Sequence, residues 1–170
     1  MTGRPGPGHR VCPGAAHICG SVLSILGTTV DTLVLDALAA AGLHGLRHGH
    51  GYVVQRLLLG PATATEMARA LGVSQQAVSK VVVELTRLGY VQARPDSADR
   101  RRRAVELTAR GLQAVDVSRR ARAAFADELA AAVGSAKLRL AGEVLAVALE
   151  LAGRADTVRR RAVPPPRDRS

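Results

Sequence analysis

Aromatic side chains are almost missing from this 170-residue chain, which has no Trp, one Phe and two Tyr. A platform for single-stranded nucleic acid needs several exposed rings on which bases can stack. That class is excluded, and duplex DNA is favoured over RNA as a nucleic-acid partner. The core must be built from Leu, Val and Ala, and Ala-rich surfaces let helices approach closely. Only two cysteines occur, Cys12 and Cys19, too few for a disulfide framework. Lysine is reduced to Lys80 and Lys137, so 22 of the 24 basic residues are Arg. Long apolar runs are lacking as well. The stretch from Val22 to Leu43 is broken by Thr28, Thr29, Asp31, Thr32 and Asp36, so it is not expected to span a membrane. Arg4 and Arg10 precede no clean apolar segment with a cleavage site, so a signal peptide is not expected and the expected location is cytoplasmic. There is no Gly-rich phosphate loop, nucleophile elbow or His-Glu metal motif. Eight Asp and six Glu scattered over helices give no carboxylate pair. The chain is not expected to be an enzyme or to need a cofactor or metal.

What is present concentrates between Thr63 and Gly111. Thr63-Ala64-Thr65-Glu66 has the form of a capping box, in which a hydroxyl and a carboxylate satisfy free N–H groups at a helix start. Met67, Ala68 and Leu71 continue an apolar stripe at helical spacing. Gly72 ends that helix, where φ > 0 is required. Ser74 is the next N-cap. Val78, Val81, Val82, Leu85 and Leu88 then share one face of a second helix that ends at Gly89. Gln75, Gln76, Ser79, Lys80, Glu84 and Arg87 are left on its outer faces. Two amides, a hydroxyl and an ammonium near the N-terminus suit a recognition helix, whose first turns meet base edges. Tyr90 to Arg94 favours a strand, and Pro95 to Asp99 carries turn chemistry. Val105 and Leu107 alternate with Ala104 and Glu106, which gives a return strand with one buried face. Arg100, Arg101, Arg102 and Arg103 stand at the turn. Their mutual repulsion becomes favourable only where phosphates or a narrow minor groove neutralise it.

In these residues the chain resembles the MarR family of dimeric winged-helix regulators. The family's Thr-x-x-Glu-Leu-Ala appears as Thr63 to Ala68, with Met67 in place of Leu. Its Leu-x-x-x-Gly appears as Leu85 to Gly89. Its Asp-x-Arg and Leu-Thr-x-x-Gly appear as Asp99 to Arg101 and Leu107 to Gly111. The resemblance implies that Arg101 enters the minor groove and is oriented by Asp99. It places the base-reading positions among Gln75, Gln76, Ser79 and Lys80. With Thr63, Ser74, Arg94, Arg100, Arg102 and Arg103, these make up the expected DNA-binding set. The partner implied is double-stranded DNA with a palindromic operator, bound by a homodimer and with repression as the implied outcome. A small anionic aromatic effector between lobe and dimer helices is implied too. His44, His48, His50 and Arg56 are its candidate ligands in this chain. Some family members sense oxidants through an N-terminal cysteine, which makes Cys12 and Cys19 the redox candidates, weighed against incidental cysteines. The rival class is a winged-helix module that docks protein rather than DNA.

Charge distribution agrees with a DNA-facing lobe. The formal net charge is +10. Residues 61–112 hold nine basic and five acidic groups, residues 113–157 six of each, and residues 158–170 five against one. The excess thus falls on the lobe and the tail, while the long helices between are neutral. The expected fold is mainly α with a small β-hairpin wing, a winged helix-turn-helix lobe with dimerisation helices on both sides. The expected organisation is a disordered tail at 1–17 and a dimerisation helix with a His/Gly loop at 18–51. The DNA-binding lobe follows at 52–111, then C-terminal dimerisation helices at 112–153 and a flexible basic tail at 154–170.

Overall fold

The computed structural model describes residues 13–95 and 103–153, with side chains described from Ser21 onward. Helix α1 spans Pro13–Ala40, α2 His50–Leu57, α3 Ala64–Leu71 and α4 Gln75–Arg87. Strands β1 (Val91–Pro95) and β2 (Arg103–Leu107) follow, then α5 (Ala109–Val133) and α6 (Ser135–Leu151). The mainly helical fold with one small hairpin agrees with the expectation.

Local signals account for the boundaries of the lobe. The capping box at Thr63 is complete: Glu66 N–H donates to Thr63 Oγ1 at 3.3 Å, and Thr63 N–H donates to Glu66 Oε2 at 2.8 Å. Such a cap is worth about 1 kcal/mol. Gly72, at φ 68°, closes α3 in the left-handed region, which lets the chain reverse within a few residues. Ser74 Oγ then caps α4 by accepting from Ala77 N–H at 3.2 Å. Thr108 caps α5 through Gly111 N–H at 3.1 Å, and its own hydroxyl donates to the Gly89 carbonyl at 2.7 Å. That second bond fastens the start of α5 to the end of α4.

β1 and β2 pair antiparallel, with Val91 opposite Leu107 and Ala93 opposite Val105. A bridge between Ala62 and Val105 adds one rung on the far edge of β2. The alternation expected for β2 is not kept, since Ala104 and Val105 are both buried. The core lies under the lobe and is closed by Met67, Leu85 and Tyr90, all at 0% exposure. Tyr90 Oη donates to the His44 carbonyl at 2.9 Å, and the Arg110 guanidinium stands over its ring at 5.0 Å. A phenol can be buried this deeply because its hydroxyl has a partner.

Some boundaries differ from the sequence reading, and β1 runs from Val91 through Pro95 rather than from Tyr90 to Arg94. Residues 13–17, expected in the tail, are the first turns of α1. Pro13 stands at the first helical position, where its fixed φ suits the turn and its missing N–H has no helical partner to lose. Gly27 lies inside that helix without ending it. α2 starts at His50 rather than Tyr52. Residues 1–12 and 154–170, both expected to be tails, lie outside the described residues.

α1 and α5 pack on each other, with Val34, Leu38, Ala114 and Val115 in the core. The outer half of α1 and all of α6 do otherwise: Ile25 is 66% exposed, Val144 68% and Leu151 86%. By length and composition alone, Ser21–Ala40 is long and apolar enough to cross a membrane, contrary to the sequence reading. Yet Asp31 in its middle is paired with His48 of the 44–50 loop and Arg122 of α5.

Candidate nucleic-acid interface

Every polar position expected at the start of α4 is accessible. Gln75, Gln76 and Lys80 are exposed and Ser79 is half-buried, while Val78 and Leu85 face inward at 2% and 0% exposure. The apolar face therefore fixes which residues point away from the lobe. On the hairpin, Glu106 accepts from Gln92 Nε2 and from Arg94 Nη1, both at 2.9 Å. Arg94 is thus held flat across the two strands, although its side chain is still 48% exposed. Arg103 is exposed at the first position of β2. Asp99, Arg100, Arg101 and Arg102 lie outside the described residues. Thr63 is buried, with its hydroxyl engaged in the capping box. Its place here is that of a structural cap. Ser74 caps α4 but remains exposed.

A cavity of about 90 Å³ opens between α1, α2, α5 and the 44–50 loop. Val34, Leu38, Val54 and Val115 supply apolar wall, and Arg47, His48, His50 and Arg122 supply nitrogen donors. Of the four expected effector ligands, His48 and His50 line it. The other two do not: His44 contributes its carbonyl to Tyr90 Oη, and Arg56 Nη1 donates along its own helix to Gly60 O at 3.5 Å. Cys19 lies on α1, within the span whose side chains are not described, and Cys12 lies outside the described residues. Among the described residues no cluster of His, Cys, Asp and Glu is arranged to hold a metal ion.

Two polar chains meet at the cavity. In the first, Asp31 Oδ2 lies 2.7 Å from His48 Nδ1, and Asp31 Oδ1 lies 3.7 Å from Arg122 Nη2. His48 Nε2 is 3.0 Å from Tyr52 Oη. This chain links α5, α1, the loop and α2. Desolvation, and behind it the negative charge of Asp31, pushes the Tyr52 phenol above its ordinary pKa of 10.0. In the second chain, Arg47 Nη2 donates to Glu84 Oε2 on α4. The Arg47 backbone N–H donates to His50 Nδ1 at 3.2 Å, so in the neutral ring the proton sits on Nε2. That atom is 3.2 Å from Glu84 Oε2, too oblique for a good hydrogen bond, and it has no other partner among the described residues. Desolvation raises the Glu84 pKa, but the Arg47 guanidinium, with the His50 ring facing the carboxyl, outweighs it. The carboxyl is left below its ordinary value of 4.5.

Sequence reasoning missed Asp31, Arg47, Glu84 and Arg122 as members of this site. No local signal marks them, because they come together only when four separate elements pack.

Residues 44–102 match the family model described as the MarR family. Among solved structures, a MarR family transcription regulator is 23% identical, with a TM-score of 0.64 over 84% of this chain and 91% of its own. FabT from Streptococcus pneumoniae, solved in complex with DNA, is 17% identical, with a TM-score of 0.65 over 82% and 97%. YusO from Bacillus subtilis is 16% identical, with a TM-score of 0.64 over 83% and 99%. At these identities the likeness establishes a shared fold. No curated protein matches the sequence.

Proposed function

We propose that this protein, whose residues 44–102 match the MarR family model, is a homodimeric, sequence-specific regulator of transcription, a repressor that binds an inverted repeat in duplex DNA. The first turns of α4 enter the major groove and the arginine wing meets the minor groove. The observation that carries this reading is the exposed row Gln75, Gln76 and Lys80 on a helix whose opposite face is locked into the core. It stands on a lobe in which residues 100–103, between the two described strands in sequence or at the start of β2, are all Arg. The apolar residues left exposed on α1 and α6 support the homodimer, because a second copy would remove them from water.

Two lobes related by a two-fold axis demand half-sites about 34 Å apart. The effector is a small anion held by Arg47, His48, His50 and Arg122. The cavity supports relief by a ligand, since it gathers Arg47, His48, His50 and Arg122 at one opening.

Selection from random duplex DNA followed by sequencing tests the proposal. The expected result is an enriched inverted repeat, bound with an affinity that falls steeply with salt. Folded dimer that enriches no sequence, with weak and salt-insensitive binding, would instead establish a protein-docking module.

A further inference from the structure

Glu84 is out of place on a helix that faces phosphates. It projects a negative charge from α4, two turns beyond Gln76, where a DNA-binding surface gains from the opposite sign. Its surroundings explain why it is tolerated. The side chain is 24% exposed, Arg47 donates to it from the 44–50 loop, and the buried His50 ring points at it from the start of α2. The Arg47 backbone N–H holds His50 in turn through Nδ1. One carboxylate therefore joins α4 to the loop and to α2, and both of its partners also line the cavity.

We propose that Glu84 is a positioning residue: its tie to Arg47 and His50 sets the placement of α4, and so of Gln75, Gln76 and Lys80, from the cavity wall. The proposal rests on α4 being the recognition helix. A helix is stiff over three turns, so a displacement at Glu84 is carried to the base-facing end. Any anion seated in the cavity competes with Glu84 for Arg47 and His50, which gives a ligand a direct route to the recognition helix.

The test uses Glu84→Gln and Arg47→Gln in the full-length dimer, with folding checked by circular dichroism. Charge alone predicts that Glu84→Gln tightens binding to the selected operator, because it removes an acid from the DNA face. Positioning predicts the reverse: each variant loses about fivefold or more in affinity, and the double variant is no worse than the poorer single one. The salt slope must stay at its wild-type value in Arg47→Gln, since a lost phosphate contact would lower it by about one. Operator binding by Glu84→Gln equal to or tighter than wild type overturns the proposal, as does a reduced slope in Arg47→Gln. Amide hydrogen exchange on the free protein reads the tie without DNA. Glu84→Gln must speed exchange in both the 44–50 loop and α4, and unchanged exchange in both overturns the tie. Wild-type protein that selects no operator while this exchange coupling holds would refute the DNA reading and leave the tie standing.

Discussion

Replacing Gly111 with alanine would ordinarily stabilise a helix, and here it should do the opposite. Gly111 stands in the first turn of α5 and is buried. A Cβ at that position would lie 2.2 Å from the Tyr90 carbonyl oxygen and 3.2 Å from Leu107 Cδ2. Ordinary carbon–oxygen contacts need roughly 3.3 Å, so backbone must move by about 1 Å. The Tyr90 carbonyl has little freedom to do so, since it accepts from Thr108 N–H at 3.1 Å next to the fully buried Tyr90 ring. The Gly111 N–H is itself the donor to the Thr108 cap at 3.1 Å. Overpacking of this kind costs about 1–3 kcal/mol, and a weakened cap adds about 1 kcal/mol. The gain in helix propensity offsets only about 1 kcal/mol. The net expectation is a loss of about 1–3 kcal/mol, or roughly 2–10 °C in Tm for a chain of this size. Urea unfolding of Gly111→Ala at fixed protein concentration measures it, because dimer stability depends on concentration. Gly142→Ala in α6 is the control. Nothing lies within 4 Å of a Cβ there, so it should gain about 0.5–1 kcal/mol. A Gly111→Ala protein as stable as wild type would refute the close approach of α5 to Tyr90.

Arg101→Ala should weaken operator binding and lower the salt slope by about one; an unchanged slope would remove Arg101 from the DNA contact. Gln76→Ala should relax base preference at one position of each half-site by about 1–3 kcal/mol, and an equal loss on random DNA would count against base reading. Val144→Asp, at a site 68% exposed on the single chain, should halve the mass seen in sedimentation, whereas an intact dimer would exclude this face of α6 from the interface. Because Glu84 is held below its ordinary 4.5, its charged form contributes stability above that value and the contribution is lost as pH falls through the depressed pKa. Urea titrations at pH 7 and in acid should show the deficit of Glu84→Gln shrinking in acid, and a deficit that stays constant would deny the ion pair.

Legibility in the sequence follows the range of the interactions. The capping box at Thr63, the Ser74 cap and the left-handed turn at Gly72 involve neighbours within three or four residues, and each is found where local chemistry put it. The apolar periodicity of α4 is equally local, so its exposed row could be named in advance. The Leu107-to-Gly111 motif was visible only as a pattern. Its cause, the approach of α5 to the Tyr90 carbonyl, joins residues twenty-one positions apart and has no one-dimensional trace. The cavity is further beyond reach. Arg122 meets Asp31 across the packing of α5 on α1, and Glu84 meets Arg47 across the packing of the lobe on its loop. His44, His48 and His50 look equivalent in sequence, yet only a fold can bring two of the rings to the cavity and leave the third outside. The β2 alternation misled for a similar reason: it anticipated one covered face, and the structure covers Ala104 as well as Val105.

The apolar half of α1 can be explained in two ways, and the polar chain at its centre decides between them. A helix crossing a bilayer would carry Asp31, together with the His48 and Arg122 groups that hold it, into hydrocarbon at a cost of several kcal/mol. It would also strip Val34 and Leu38 of the α5 and lobe side chains that now bury them. A helix paired with a second copy keeps those contacts and covers Ile25 and Leu26 as well. In that arrangement Asp31 stands at the border between a dimer face and a DNA-facing lobe. Its ion pairs with Arg122 and His48 would then link the dimer helices to the 44–50 loop, and Arg47 and His50 would link that loop to α4. The spacing of two recognition helices on DNA would then be set by a few polar contacts around one small cavity, which is where a small ligand has the greatest leverage on a large structure.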